Sequence, residues 1–124
     1  MKLVNLTPHP VRLYTADTPD QVDNPDDGVV LTLEPSGKFA RLGESVLGED
    51  TVVTEDGVEI SVSTVSYAEI QGLPEPQQGT VYVVPLMTAL AAAGRQDLLV
   101  PYEQVRNQEG TVVGCRRLGR VQTQ

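Results

Sequence analysis

Cysteine is almost missing from this chain of 124 residues, and the lone Cys115 excludes an internal disulfide and any cysteine-rich zinc site. That usage fits a reducing compartment. There is no tryptophan and one phenylalanine, so the core has to be built mainly from valine and leucine around four tyrosines. Histidine occurs once, as His9. A single imidazole holds a metal only if carboxylates gather around it from elsewhere, so neither a metal nor a cofactor is expected. No apolar run approaches the ~18–20 residues that cross a bilayer, and no targeting pattern opens the chain. A cytoplasmic location without a membrane partner is therefore the expectation. Basic residues are scarce: 9 Lys and Arg against 17 Asp and Glu leave a net charge of −8. The imbalance lies in residues 1–60, with 12 acidic and 4 basic side chains, whereas residues 61–124 carry 5 of each. Broad nucleic-acid binding needs a basic face and is excluded on that ground. A nucleophile-elbow serine, a phosphate loop, a dinucleotide fingerprint and a zinc motif are also absent. A small anionic ligand held by a few arginines stays open.

What is present centres on the stretch Gly79–Pro101. Thr80–Val84 is β-branched and aromatic without alternation, the pattern of a strand covered on both faces. Pro85 ends strand pairing, because it has no N–H, and its fixed φ suits a first helical turn. The spacing predicts a short helix over Pro85–Ala93, with Leu86, Met87, Leu90, Ala91 and Ala93 spaced to let it lie close against the sheet. Gly94 is placed to stop it, with Arg95 near the negative end of the helix dipole. At that length the helix depends on packing for its stability.

Elsewhere the chain reads as short strands and turns. Lys2–Leu6 is a strand, Thr7-Pro8-His9-Pro10 an extended bend, and Val11–Tyr14 a second strand. Thr15–Gly28 is an acidic, solvated loop and the segment most open to mobility. Val29–Leu33 is a strand, turned at Pro35–Lys38 into an antiparallel partner, Phe39–Leu42. Residues 43–50 read as a loop with two glycines. Thr51–Thr54 and Val58–Val65 flank Glu55-Asp56-Gly57, a strong hairpin signal. Tyr67–Ile70 extends that strand or begins another, and residues 72–79 form a connection. Asp97–Val100 is a short segment ended by Pro101, and Thr111–Leu118 is the last strand, followed by a fraying tail at 119–124. The expected fold is a single α+β domain: one mixed, mostly antiparallel sheet or partly open barrel, with one short helix packed on it. The strand at 80–84 and the final strand are expected to be neighbours.

Candidate chemistry is sparse. His9, between two prolines, stands on a stiff backbone that suits a positioned ligand or acid–base group, and Asn5 and Thr7 share its strand face. The bland alternative is that all three satisfy the backbone of the bend. Arg95 and Asp97 read as a local ion pair at the helix end, or Arg95 as a clamp for phosphate or carboxylate. Arg106, before the turn at Asn107–Gly110, has the same two readings, a structural contact or an anion contact, and Arg41 is a further candidate anion contact. Cys115 reads as a buried, inert thiol, since only His9 could serve it as a base.

Taken together, Val4-Asn5-Leu6-Thr7-Pro8-His9, Tyr67–Pro74, Gly79–Val84, Arg95–Leu98 and Val112–Cys115 resemble a family of short proteins of phages, prophages and actinobacterial genomes. The family has no assigned function and supplies no catalytic residues to carry over. Where it would place a serine after the central strand, this chain has Pro85. The resemblance implies a small accessory protein of phage or mobile DNA. The leading expectation is a non-enzymatic, homo-oligomeric binding protein that sequesters a small anionic, nucleotide-like metabolite. It would do so through Asn5, Thr7, His9, Arg41, Arg95, Asp97 and Arg106. The alternatives are a phosphodiesterase-like hydrolase with His9 and Glu69 as acid and base, and an interaction module presenting a strand edge to a host or virion partner.

Overall fold

A computed structural model describes residues 1–92 and 94–122. Along the chain come β1 (Lys2–Asn5), β2 (Val11–Tyr14), β3 (Val29–Leu33), β4 (Arg41–Val53), β5 (Glu59–Gln71), β6 (Thr80–Val83), α1 (Leu86–Ala91), β7 (Leu98–Arg106) and β8 (Val112–Gly119). The class is broadly α+β, but the strands divide into two sheets rather than one. Six form a mixed sheet in the order β1-β6-β7-β8-β2-β3, and β4 and β5 pair only with each other. Within the larger sheet β1–β6, β6–β7 and β2–β8 are parallel, while β7–β8 and β2–β3 are antiparallel. It is therefore mixed rather than mostly antiparallel, because two of its parallel neighbours are joined by the α1 crossover.

β6 lies between β1 and β7, and this explains its unbroken apolar sequence. Successive side chains of a strand point to opposite faces. Tyr82 and Val84 accordingly enter a cluster with Leu6, Ala40, Ala89, Leu98 and Val100, while Val83 joins Val11 and Cys115 in another. Each such buried aliphatic side chain is worth about 1.5–3 kcal/mol. β6 and β8 are not neighbours, because β7 separates them. β7 also runs straight through Pro101, at which the segment was expected to end. The β6–β7 ladder stops at Leu99, so the missing N–H of Pro101 removes no bond to β6.

The helix begins after Pro85, which caps it in an extended conformation, and is shorter than expected, ending at Ala91 with Ala92 as its C-cap before Gly94 turns left-handed at φ +92°. Ala93, the expected last helical residue, lies outside the described residues, as do Thr123 and Gln124 of the tail. The helix face is not the one expected. Thr88 and Ala89 are buried, whereas Leu86, Met87 and Leu90 are exposed. Small side chains let the short helix lie close to Ala40 and the sheet, and that turns the large ones outward.

Two local expectations fail for one reason. Phe39–Leu42 does not return beside β3, whose partner is β2. Residues 43–50 are not a loop but lie within β4, a strand of 13 residues paired along its length with β5. Register shifts at Gly43/Glu44 and Val46/Gly48 absorb the irregular residues as bulges. The Asp-Gly turn is where expected, closed by Thr54 N–H to the Val58 carbonyl at 2.9 Å.

The acidic segment 15–28 is tied down at several points. Val22 and Thr18 are buried, and Tyr14 Oη donates to the Pro25 carbonyl at 2.5 Å. Val22 N–H donates to Arg106 O at 2.9 Å, and Arg106 N–H to Asp20 O at 2.8 Å. The Arg116 guanidinium bonds Thr18 O at 3.0 Å and Asp20 Oδ1 at 2.7 Å. Gly114 lets β2 come close here, since a Cβ on it would lie 2.5 Å from the Arg12 carbonyl oxygen. At the other end of β8, Arg120 Nε donates to Gln96 O at 2.8 Å, and Val121 packs on the cluster around Leu6.

Candidate functional site

Asn5 is the organising side chain of the Thr7–Pro10 bend. Only 3% exposed, it donates through Nδ2 to the carbonyls of His9 (2.9 Å) and Leu33 (3.0 Å). Its Oδ1 accepts the Thr7 N–H at 2.9 Å and lies 2.7 Å from the Thr7 hydroxyl. That hydroxyl also lies 3.0 Å from the His9 carbonyl oxygen. Asn5 and Thr7 thus have the structural role weighed for them, holding the backbone of the bend. His9 contributes its carbonyl to this network and exposes its ring.

The arginines are distributed rather than convergent. Arg95 pairs with Asp97 in a two-pronged contact, Nε to Oδ1 and Nη2 to Oδ2, both 2.7 Å, and Nη2 also reaches Pro74 O at 3.1 Å. The side chains are 20% and 16% exposed. The hydrogen bond from Arg95 holds the Asp97 carboxyl below its ordinary pKa and, reciprocally, Asp97 raises that of Arg95. Arg106 donates to Gly110 O at 2.8 Å and to Gln104 Oε1 at 3.0 Å, closing the β7–β8 turn. Arg41 reaches Gln71 Oε1 at 3.3 Å, beside Glu69, where β4 begins and β5 ends. Each arginine therefore has a partner within its own neighbourhood. His9 and Glu69 line separate depressions. Burial pushes the Cys115 thiol up, so it stays protonated, with Sγ 3.9 Å from Arg12 O. Among the described residues no three of His, Cys, Asp and Glu gather as metal ligands.

The Arg95–Asp97 pair makes a pH prediction. A carboxyl with a lowered folded-state pKa contributes stability that is complete above the unfolded-state pKa and lost as pH falls through the folded one. Asp97→Asn should cost about 2 kcal/mol near pH 7, because it leaves a largely covered guanidinium without its counter-charge. The gap between the variant and the parent should close as the solution is acidified below the usual aspartate range. Urea denaturation at a series of pH values measures it, and a gap independent of pH would refute the ion-pair account.

Two surface features went unseen in the sequence. The first is an apolar groove of about 650 Å³ between the bend, the start of α1 and the β7–β8 pair. Pro85, Leu86, Tyr102 and Val121 line it, with His9 and Arg120 on its polar margin. Glu103, next to Tyr102, has φ +57° and pairs with Arg117 Nε at 2.7 Å. A left-handed non-glycine residue inside a strand costs about 1 kcal/mol, and this one sits beside the groove.

The second feature is the β4–β5 arm. Strands of 13 residues at ~3.3 Å each reach about 40 Å, against a radius of gyration near 14 Å for a compact chain of this length. Every residue from 44 to 65 is exposed. Among them Val52 (50% exposed) faces Ile60 (45%) across the ladder, with Val62 two residues along on the same face. Val46 faces Val65 nearer the body. Residues 42–70 hold seven Asp and Glu and no Lys or Arg. That local lack of base was available in the sequence as a signal. The glycines and acids of residues 43–50 hid the strand that carries it.

No protein-family model matches the chain, and neither a curated protein nor a solved structure matches it.

Proposed function

We propose that this chain is a non-enzymatic binding protein that works by surface contact, with the β4–β5 arm as its contact element. The observation that carries this reading is the unbroken exposure of residues 44–65, valines and an isoleucine included. A two-stranded ladder is marginally stable at best in water, and a partner covering its apolar face supplies the missing burial. Free edges on both strands also offer backbone groups for strand addition. The six-stranded sheet, read as a partly open barrel, is the rigid base. Capture of a small nucleotide-like anion fits less well, because Arg41, Arg95 and Arg106 stand apart with separate partners. A hydrolase built on His9 and Glu69 is disfavoured by their separate depressions. An accessory protein of phage or mobile DNA, the setting implied by the resemblance, is a natural home for such a module.

Amide hydrogen exchange tests it. In the assembled protein the amides of residues 46–65 should exchange at least about 100-fold more slowly than in a Val52→Ser/Ile60→Ser/Val62→Ser variant. The variant's body should unfold at an unchanged midpoint, since these side chains touch no core. Exchange of the arm at free-peptide rates in every state, including concentrated protein and whole cell extract, would end the reading.

A further inference from the structure

We infer that the surface covering the arm is the apolar groove of a second copy of this chain, so that copies join head to tail. This rests on the arm being a contact element and adds which partner it takes. Charge selects the partner. Two arms laid together would bring seven acidic residues against seven, with no basic residue on either side. Outside residues 42–70 and the acidic segment 15–28, the chain holds nine Lys and Arg against five Asp and Glu. With segment 15–28 counted, the body carries nine basic against ten acidic residues, so it is nearly neutral and repels the arm far less than a second arm would.

Within that body the groove is the place where apolar lining meets a polar margin. Tyr102 is 57% exposed, and an aromatic anchor in an apolar depression is the usual centre of a contact surface. Arg120 and His9 line the groove and, among the described residues, no acidic one does, while Glu55 and Asp56 lie at the hairpin end of the arm, next to the Val52–Ile60 pair. The Val52–Ile60–Val62 face supplies the matching apolar strip. Arm and groove are different patches on one chain, so the contact is heterologous and propagates until it closes as a ring or continues as a filament. The smallest closed form is a reciprocal pair, each arm in the other copy's groove.

Complementation tests this. Two variants are made, Val52→Ser/Ile60→Ser in the arm and Tyr102→Ser/Arg120→Glu in the groove, each checked for an unchanged unfolding midpoint. Sedimentation with light scattering should find the parent chain as a dimer or a larger oligomer. Raising salt from about 0.05 to about 0.5 M should weaken it at least about tenfold, because screening shortens the reach of exposed charges. Each variant alone should be monomeric. Mixed one to one, they should form a dimer and nothing larger, because one intact arm and one intact groove remain. A groove variant that assembles like the parent, a parent that is monomeric at all concentrations, or a mixture that stays monomeric would each overturn the head-to-tail contact. If the arm's amides stay protected in the groove variant, the arm still binds a protein surface and only its assignment to the groove fails. If they are unprotected everywhere, the arm reading fails as well.

Discussion

Replacing Asn5 by alanine should destabilise the protein by about 3 kcal/mol, among the largest costs of any single side chain here. Two carbonyls, His9 and Leu33, lose their donor, and the Thr7 N–H loses its acceptor, around a side chain only 3% exposed. Each buried polar group left without a partner costs about 1–3 kcal/mol, and relaxation toward solvent at the exposed bend brings the sum down. The position of Asn5 gives the loss its reach. β1 and β3 are the outer strands of the six-stranded sheet and share no ladder. Asn5 bridges them, its amide bonding Leu33 O while its own carbonyl accepts Ser36 N–H at 3.0 Å. Asn5→Asp separates packing from hydrogen bonding. It keeps the shape but aims an oxygen at two carbonyl oxygens, and should cost at least as much as alanine at neutral pH. Denaturant titration of both variants measures this, and an Asn5→Asp chain as stable as the parent would show that the donor does not matter.

Gly72→Ala should be still more damaging, by about 4 kcal/mol or more. Gly72 follows β5 with φ +78°, and a Cβ there would overlap the carbonyl of Phe39, a backbone atom with no rotamer to yield. The chain enters the arm past Phe39 and leaves it past Gly72, so the two feet of the arm cross at this point. Gly79 is the matched control. It has the same φ of +78° but open space where its Cβ would stand. Gly79→Ala should cost only the left-handed penalty of about 1–2 kcal/mol. The difference between the two variants isolates the crossing. Equal costs at both positions, measured by thermal or urea unfolding, would remove the steric account.

Parts of the candidate site were legible in the sequence. The Pro-His-Pro bend, the sharing of a face by Asn5 and Thr7, and the pairing of Arg95 with Asp97 follow from backbone restriction and spacings of two to four residues. The groove was not legible. Its lining comes from residues 7–11, 84–86, 100–104 and 119–121, which meet only once β7 has been placed beside both β6 and β8. Nor was it legible that Leu86, Met87 and Leu90 would face outward. Apolar spacing states that a helix has a face, and the size of the gap it must fill decides which residues enter.

The sequence by itself determined the local terms: a two-sided strand at 80–84, a helix led by Pro85, an Asp-Gly turn, and a lone buried thiol. These depend on φ limits, β-branching and alternation, which act between near neighbours. Only the tertiary structure decided that the acid- and glycine-bearing stretch at 43–50 is strand, that β4 and β5 leave the sheet together, and that Asn5 joins its two outer strands. Those outcomes are set by backbone pairing between residues far apart in the chain, where a hydrogen-bonded partner outweighs weak local preference.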